Sequence, residues 1–211
     1  IMPLKSKVQS VGMLRAFLFI IIIVFGFWLL NERSLLLIVL EGDKSHISKI
    51  IGLLWVVTSF YWLVLSKNIS DERDSFNNFD FHNKNLSTAK FFNGLKNKKE
   101  KDILLNALES DFEKKLSYGL IAAEISLKLG LLGTIIGFIL MLQPIANLDN
   151  TSAENLKIAL ASMSSGMAVA LYTTLSGIVV NTLLRIQFHI SSTSITALLN
   201  DLAFYTEESI E

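Results

Sequence analysis

Two uninterrupted stretches without a charged side chain constrain this sequence more than anything else in it. Leu129 to Leu148 carries none, and Ile158 to Leu184 carries none across 27 positions. At about 1.5 Å per helical residue the longer stretch measures roughly 40 Å, more than the about 30 Å hydrocarbon core of a bilayer. Backbone at that depth must satisfy its own N–H and C=O groups, so each stretch is expected as a transmembrane helix, with a short polar turn between them. Glycines and threonines that would be ordinary in a soluble loop are thereby placed inside the membrane. They form GLLGTIIG at Gly130 to Gly137, and GMAVALYTTLSG at Gly166 to Gly177.

Composition narrows the class further. With 51% hydrophobic and 18% charged residues over 211 positions, and a mean hydropathy of +0.48, the chain is too apolar for an ordinary soluble domain. Its formal net charge is zero, so nothing argues for a nucleic-acid partner. The absence of cysteine removes disulfides, thiolate catalysis and zinc–thiolate sites. His46, His82 and His189 lie far apart without ligand spacing, and there is no nucleophile with a base beside it and no phosphate loop. Neither an enzyme, a cofactor nor a metal site is expected.

Taken in order, Lys5, Lys7 and Arg15 precede the apolar run AFLFIIIIVFGFWLL, Ala16 to Leu30. No small-x-small cleavage site follows it, so a retained first helix is expected in place of a signal peptide. Ser34 to Leu40 either lengthens that helix or lies at the far interface. After the polar patch Glu41 to Lys49, the run Ile50 to Ser66 is short for a span and becomes adequate if Ile47 and Ser48 join it. Trp28, Tyr61 and Trp62 fall near helix ends, where amphipathic rings favour the headgroup zone, and read as interface anchors.

From Lys67 to Tyr118 the chain holds ten Lys and Arg and nine Asp and Glu. The positive-inside rule assigns this segment, and with it both termini, to the cytoplasm, since Lys157 is the lone cation of the next loop. The lysines at Lys96, Lys98, Lys99 and Lys101 are followed at once by acids, which reads as a solvated helix face and not as an anion-binding patch. Ile103, Leu104, Leu108, Phe112 and Leu116 recur every three to four residues, predicting an amphipathic helix over 100–118 that runs straight into the third span. Ser152 is placed to cap the last helix, which continues beyond Arg185 to Asp201. The expected fold is an all-α integral membrane protein of four transmembrane helices. It divides into a two-helix hairpin (1–66), a charged cytoplasmic segment (67–118), a central helix pair (119–190) and a cytoplasmic C-terminal helix (191–211).

Helices in lipid approach closely through small residues. Gly130, Gly133 and Gly137 make such a strip on the third helix. Gly166, Ala170, Thr174, Gly177 and Asn181, spaced four, four, three and four, share a face of the fourth. Ser162, Ser164, Ser165, Thr173, Thr174, Ser176, Asn181 and Thr182 add eight hydroxyl or amide groups to that helix, enough for a polar seam. Taken singly, each of these residues is also ordinary packing material, because threonine hydroxyls bond back to their own helix. Glu124 and Lys128, four apart in the favourable order, fit an interfacial ion pair or an ion-entry gate. No Asp, Glu, Lys or Arg lies in the middle of any span, so a carboxylate acting in the bilayer core must come from another chain.

The two blocks, in this order on adjacent spans behind a charged segment, resemble the paired-helix signature of the MotA/TolQ/ExbB proton-channel family over about residues 119–190. That signature reads G-L-x-G-T-x-x-G and then G-x-A-x-A-L-x-x-T-x-x-G. The resemblance implies an ion channel subunit of the bacterial inner membrane, carrying H+ in preference to Na+. It implies a homopentameric ring around a single-span partner of the ExbD, TolR or MotB type, whose membrane Asp carries the proton while ion flow drives mechanical work. It places Thr134 and Thr174 opposite that Asp and makes Gly133, Gly137, Gly166, Ala170 and Gly177 packing and pore-lining positions; Thr173 and Asn181, members of the polar seam, are expected along the same ion pathway. ExbB-like and TolQ-like members carry Glu where this chain has Val169, and Pro where it has Leu183. An energiser like ExbB or TolQ, a stator like MotA and a Zorya-type defence motor all stay open. So do a membrane scaffold and a small-solute transporter outside the family's mechanism.

Overall fold

The computed structural model describes residues 11–78, 88, 91, 101–146 and 152–208. Among them every regular element is a helix: α1 (Val11–Glu32), α2 (Leu35–Gly42), α3 (Ile47–Asn78), α4 (Lys101–Ala146) and α5 (Ala153–Glu208). Lys5 and Lys7, the lysines Lys96, Lys98 and Lys99, and the turn at 147–151 lie outside the described residues.

The stretch Ser34 to Leu40 does not lengthen α1. Ser34 adopts a left-handed conformation with φ 54°, its N–H bonding to the Asn31 carbonyl at 2.9 Å, and the chain restarts as the separate helix α2. A left-handed residue cannot continue a right-handed helix, so the break is local and sharp. α3 begins at Ile47, which brings Ile47 and Ser48 into the helix. α4 is continuous from the charged segment into the apolar one, and at 46 residues spans about 69 Å. α5, at 56 residues, spans about 84 Å. Its start is capped by Ser152, whose hydroxyl accepts from the Asn155 N–H at 3.3 Å while its carbonyl accepts from Leu156 at 3.0 Å.

Among the described residues three helices are long and apolar enough to cross a membrane, Ile47–Arg73, Asp102–Ile145 and Ala153–Phe204, and Phe17–Leu29 is a shorter apolar stretch. Both α4 and α5 exceed a bilayer core at least twofold in length.

The chain separates into two compact units. The first comprises Ile1–Ile22, Ser59–Leu120 and Ile186–Glu211. Its core holds large side chains: Trp62, Phe112, Phe188, Leu198 and Leu202 are buried. Trp62, expected at an interface, is fully enclosed with Phe19 edge-on at 6.5 Å, because the face of α3 that carries it points into the unit. Tyr61 stacks on Phe188 and donates to the Lys115 carbonyl at 3.1 Å. On the amphipathic stretch of α4, Leu108 and Phe112 are buried, but Ile103 is 60% exposed and lies off that face. Glu72, itself buried, accepts from the backbone N–H and the hydroxyl of Thr88 at 2.9 and 2.6 Å.

The second unit comprises Ile23–Thr58 and Ile121–Arg185. Phe27 stacks on Trp55 at 4.9 Å, while Trp28 remains exposed and stacks on Phe25. This unit contains the glycine-rich blocks.

Candidate functional site: a glycine-packed helix pair with a threonine-edged cleft

The site is built on the approach of α4 to α5. A methyl group added at Gly130 would lie 3.1 Å from the Gly177 Cα and from the Thr173 carbonyl oxygen. At Gly137 it would lie 2.6 Å from the Ala170 nitrogen, and at Gly177 it would lie 2.9 Å from the Gly130 Cα and the Ser126 carbonyl. At Gly133 it would collide with the Thr173 side chain, and at Gly166 with the Met141 backbone. At Gly130, Gly137, Gly166 and Gly177 the contacts reach backbone atoms of the facing helix, which cannot yield as the tip of a flexible side chain can, whereas Gly133 makes room for the Thr173 side chain. With lipid outside, such contacts replace the hydrophobic drive that assembles helices in water.

The strip of α5 that meets these glycines runs through Gly166, Ala170, Thr173 and Gly177, all buried. Spacing alone put Thr174 in that strip. The structure seats Thr173 under Gly133 and keeps Thr174 at the edge of the strip, its Cα 3.5 Å from a methyl group added at Gly130 and its side chain half-buried. Asn181 continues the pairing by donating its side-chain amide to the Ala123 carbonyl of α4 at 2.6 Å. Ser126, fully buried, was not singled out by the sequence. Its hydroxyl donates to the Ala123 carbonyl at 2.7 Å, and its own carbonyl lies against Gly177.

Thr134 and Thr174 come together along a cleft of about 480 Å³ whose walls include Gly137, Phe138, Met141, Ala170 and Leu171. Each hydroxyl already donates into its own helix, Thr134 to the Leu131 carbonyl at 2.6 Å and Thr174 to the Ala170 carbonyl at 3.0 Å. Thr173 likewise donates to Val169 and Ala170. A threonine oxygen that has spent its proton in this way keeps two lone pairs and can accept. The cleft therefore offers acceptors on an apolar wall and has no charge among its lining residues. Val169 is fully buried.

Glu124 and Lys128 are brought together at 3.9 Å, with side chains 55% and 74% exposed. A pair so exposed contributes little to stability.

A second cluster escaped the sequence reading. Asp43, 1% exposed, precedes α3 and accepts from the backbone N–H groups of Ser45 and Ser48 at 2.9 and 2.6 Å, and from the Ser45 hydroxyl. Burial pushes its carboxyl upward, but the hydrogen bonds from Ser45 and Ser48 outweigh that push and hold it below the ordinary 3.8. The available signal was D-x-S-x-x-S ahead of an apolar run, a capping pattern. Beside it, Gly42 lies directly against the ring of Tyr172 on α5.

Long apolar helices packed through glycine define a multi-pass helical membrane protein. Its sequence matches the MotA/TolQ/ExbB proton channel family over residues 79–203, more than half of the chain, and the chain belongs to that family. No curated protein and no solved structure matches it.

Proposed function

We propose that this chain is the ring-forming channel subunit of an ion-driven motor of the bacterial inner membrane. Five copies surround a single-span partner of the ExbD, TolR or MotB type, and H+ passes along the contact between ring and partner. In this reading α1 crosses the membrane as a fourth span, and the charged segment between α3 and α4, together with both termini, is cytoplasmic. The partner's Asp supplies the titrating group that this chain lacks within its spans.

The observation that carries the reading is the cleft that presents Thr134 and Thr174 together, acceptors on an otherwise uncharged wall. A protonated Asp has one O–H to donate and fits such acceptors. Its ionised form has nothing to donate and would be poorly solvated there. The wall thus favours the neutral, proton-loaded partner, and release of the proton needs the Asp to leave the cleft. Glu124 and Lys128 then lie along the entry path.

The test is Thr174→Val, close in shape but without an oxygen, introduced alone and with Thr134→Val in cells that also express the single-span partner. Ring assembly should survive while proton uptake by inverted membrane vesicles is abolished. Undiminished uptake in the double variant would remove the two threonines from the ion path.

A further inference from the structure

Three consecutive residues of α5 face three different surroundings. Tyr172 lies against Gly42, where a Cβ would sit 2.8 Å from the ring Cδ2 and closer still to Cε2. Thr173 is buried beneath Gly133. Thr174 lines the cleft with Thr134. Successive helical residues are turned by about 100°, so holding Tyr172 and Thr173 in place dictates where Thr174 points.

The seat for Tyr172 is built to stay put. Gly42 ends α2, and the next residue, Asp43, ties the turn together through Ser45 and Ser48 while its own N–H bonds to the Val39 carbonyl at 3.2 Å. His46 takes φ 61°, a left-handed conformation that His, Asn and Asp adopt more readily than other residues with a side chain. With the turn held by these bonds, a side chain at position 42 meets the Tyr172 ring and has to displace it.

We infer that the α2–α3 turn is a rotation stop for α5, with Gly42 as its positioning residue: by admitting the Tyr172 ring it holds the Thr174 hydroxyl edge toward the cleft. The functional weight of that edge rests on the channel reading above. The geometry of the stop does not.

The chain contains no cysteine, so a single introduced thiol reports cleanly. In membranes holding the full chain, Thr174→Cys is labelled with a small methanethiosulfonate reagent with and without Gly42→Ala. The wedge at position 42 should slow labelling several-fold, whereas Gly52→Ala, which has nothing within 4 Å, should leave the rate unchanged. Tyr172→Ala adds no bulk and serves as the second variant. It frees α5 to turn, so the buried thiol of Thr173→Cys should gain reactivity. Unchanged labelling in both arms overturns the rotation stop. Proton uptake measured in Gly42→Ala separates the two claims. Altered labelling with uptake intact upholds the stop and overturns the assignment of Thr174 to the ion path.

Discussion

The two units of this chain hold their helices by opposite means. In the unit of Ile23–Thr58 and Ile121–Arg185, α4 and α5 meet through missing side chains: Gly130, Gly137, Gly166 and Gly177 let backbone approach backbone, and Gly133 admits the Thr173 side chain. In the unit of Ile1–Ile22, Ser59–Leu120 and Ile186–Glu211, the interior is filled by Trp62, Phe112 and Phe188. There Gly119 serves a large neighbour, since the ring of Phe188 occupies the space above it. The same helices thus pass through two packing regimes. Where lipid is the solvent, burying apolar area gains little and close contact must suffice. Where charged residues crowd the chain, as around Phe112, burying large apolar groups is the effective force.

The sharpest break of this contrast is a large-to-small change in the aromatic unit. Phe112 is 2% exposed, with the Lys115 ammonium 5.2 Å from its ring centroid. Phe112→Ala should cost about 3–5 kcal/mol, mostly as a cavity that the surrounding helices close only in part. Thermal unfolding of the purified chain in detergent, followed by tryptophan fluorescence, measures it. A loss below about 1 kcal/mol would mean that this residue is not core and that the aromatic regime is wrongly located.

The second break runs the other way, from small to large. Gly137→Val places atoms where the Ala170 backbone already is, and overpacking of this kind costs about 1–3 kcal/mol. Gly26→Val and Gly52→Val add the same bulk where no atom lies within 4 Å, and should be close to silent. The comparison is read as the fraction of chain surviving as a single species on detergent size-exclusion after heating. Equal survival of the Gly137 and Gly52 variants would leave the glycine strip without a structural role.

Much of this contrast was legible in the residues. The charge-free runs located the long apolar helices, the unbroken α4 followed from periodicity and the Ser152 cap from capping chemistry, while Ile47 and Ser48 were called for in α3 only by the length a span needs. Periodicity reports which residues share a face, but not which neighbour that face meets. Hence Thr173 and Thr174 could not be assigned to packing and to the cleft from spacing. Ser34 is an ordinary serine with no glycine or proline beside it, so its left-handed break left no mark in the sequence. Trp62 has the composition of an interface residue, and only tertiary context enclosed it. The seating of Tyr172 on Gly42 joins residues 130 positions apart through a steric fit that no local pattern encodes.

The smallest expected effect concerns the charged turn, where the glycine-packed unit uses a buried ion in place of close contact. Because the Asp43 carboxyl lies below its ordinary 3.8 in the folded chain, the folded state takes up this proton less readily than the unfolded one. Its stabilisation is therefore fully present well above 3.8. It declines as pH falls through that value and is gone below the depressed folded value. Asp43→Asn keeps the shape of the side chain but removes the titration, so the difference in melting temperature between wild type and variant should shrink toward zero on acidification from neutral pH through that window. A gap that stays constant with pH would show that the bonds from Ser45 and Ser48 hold the turn by geometry alone, with no contribution from the charge.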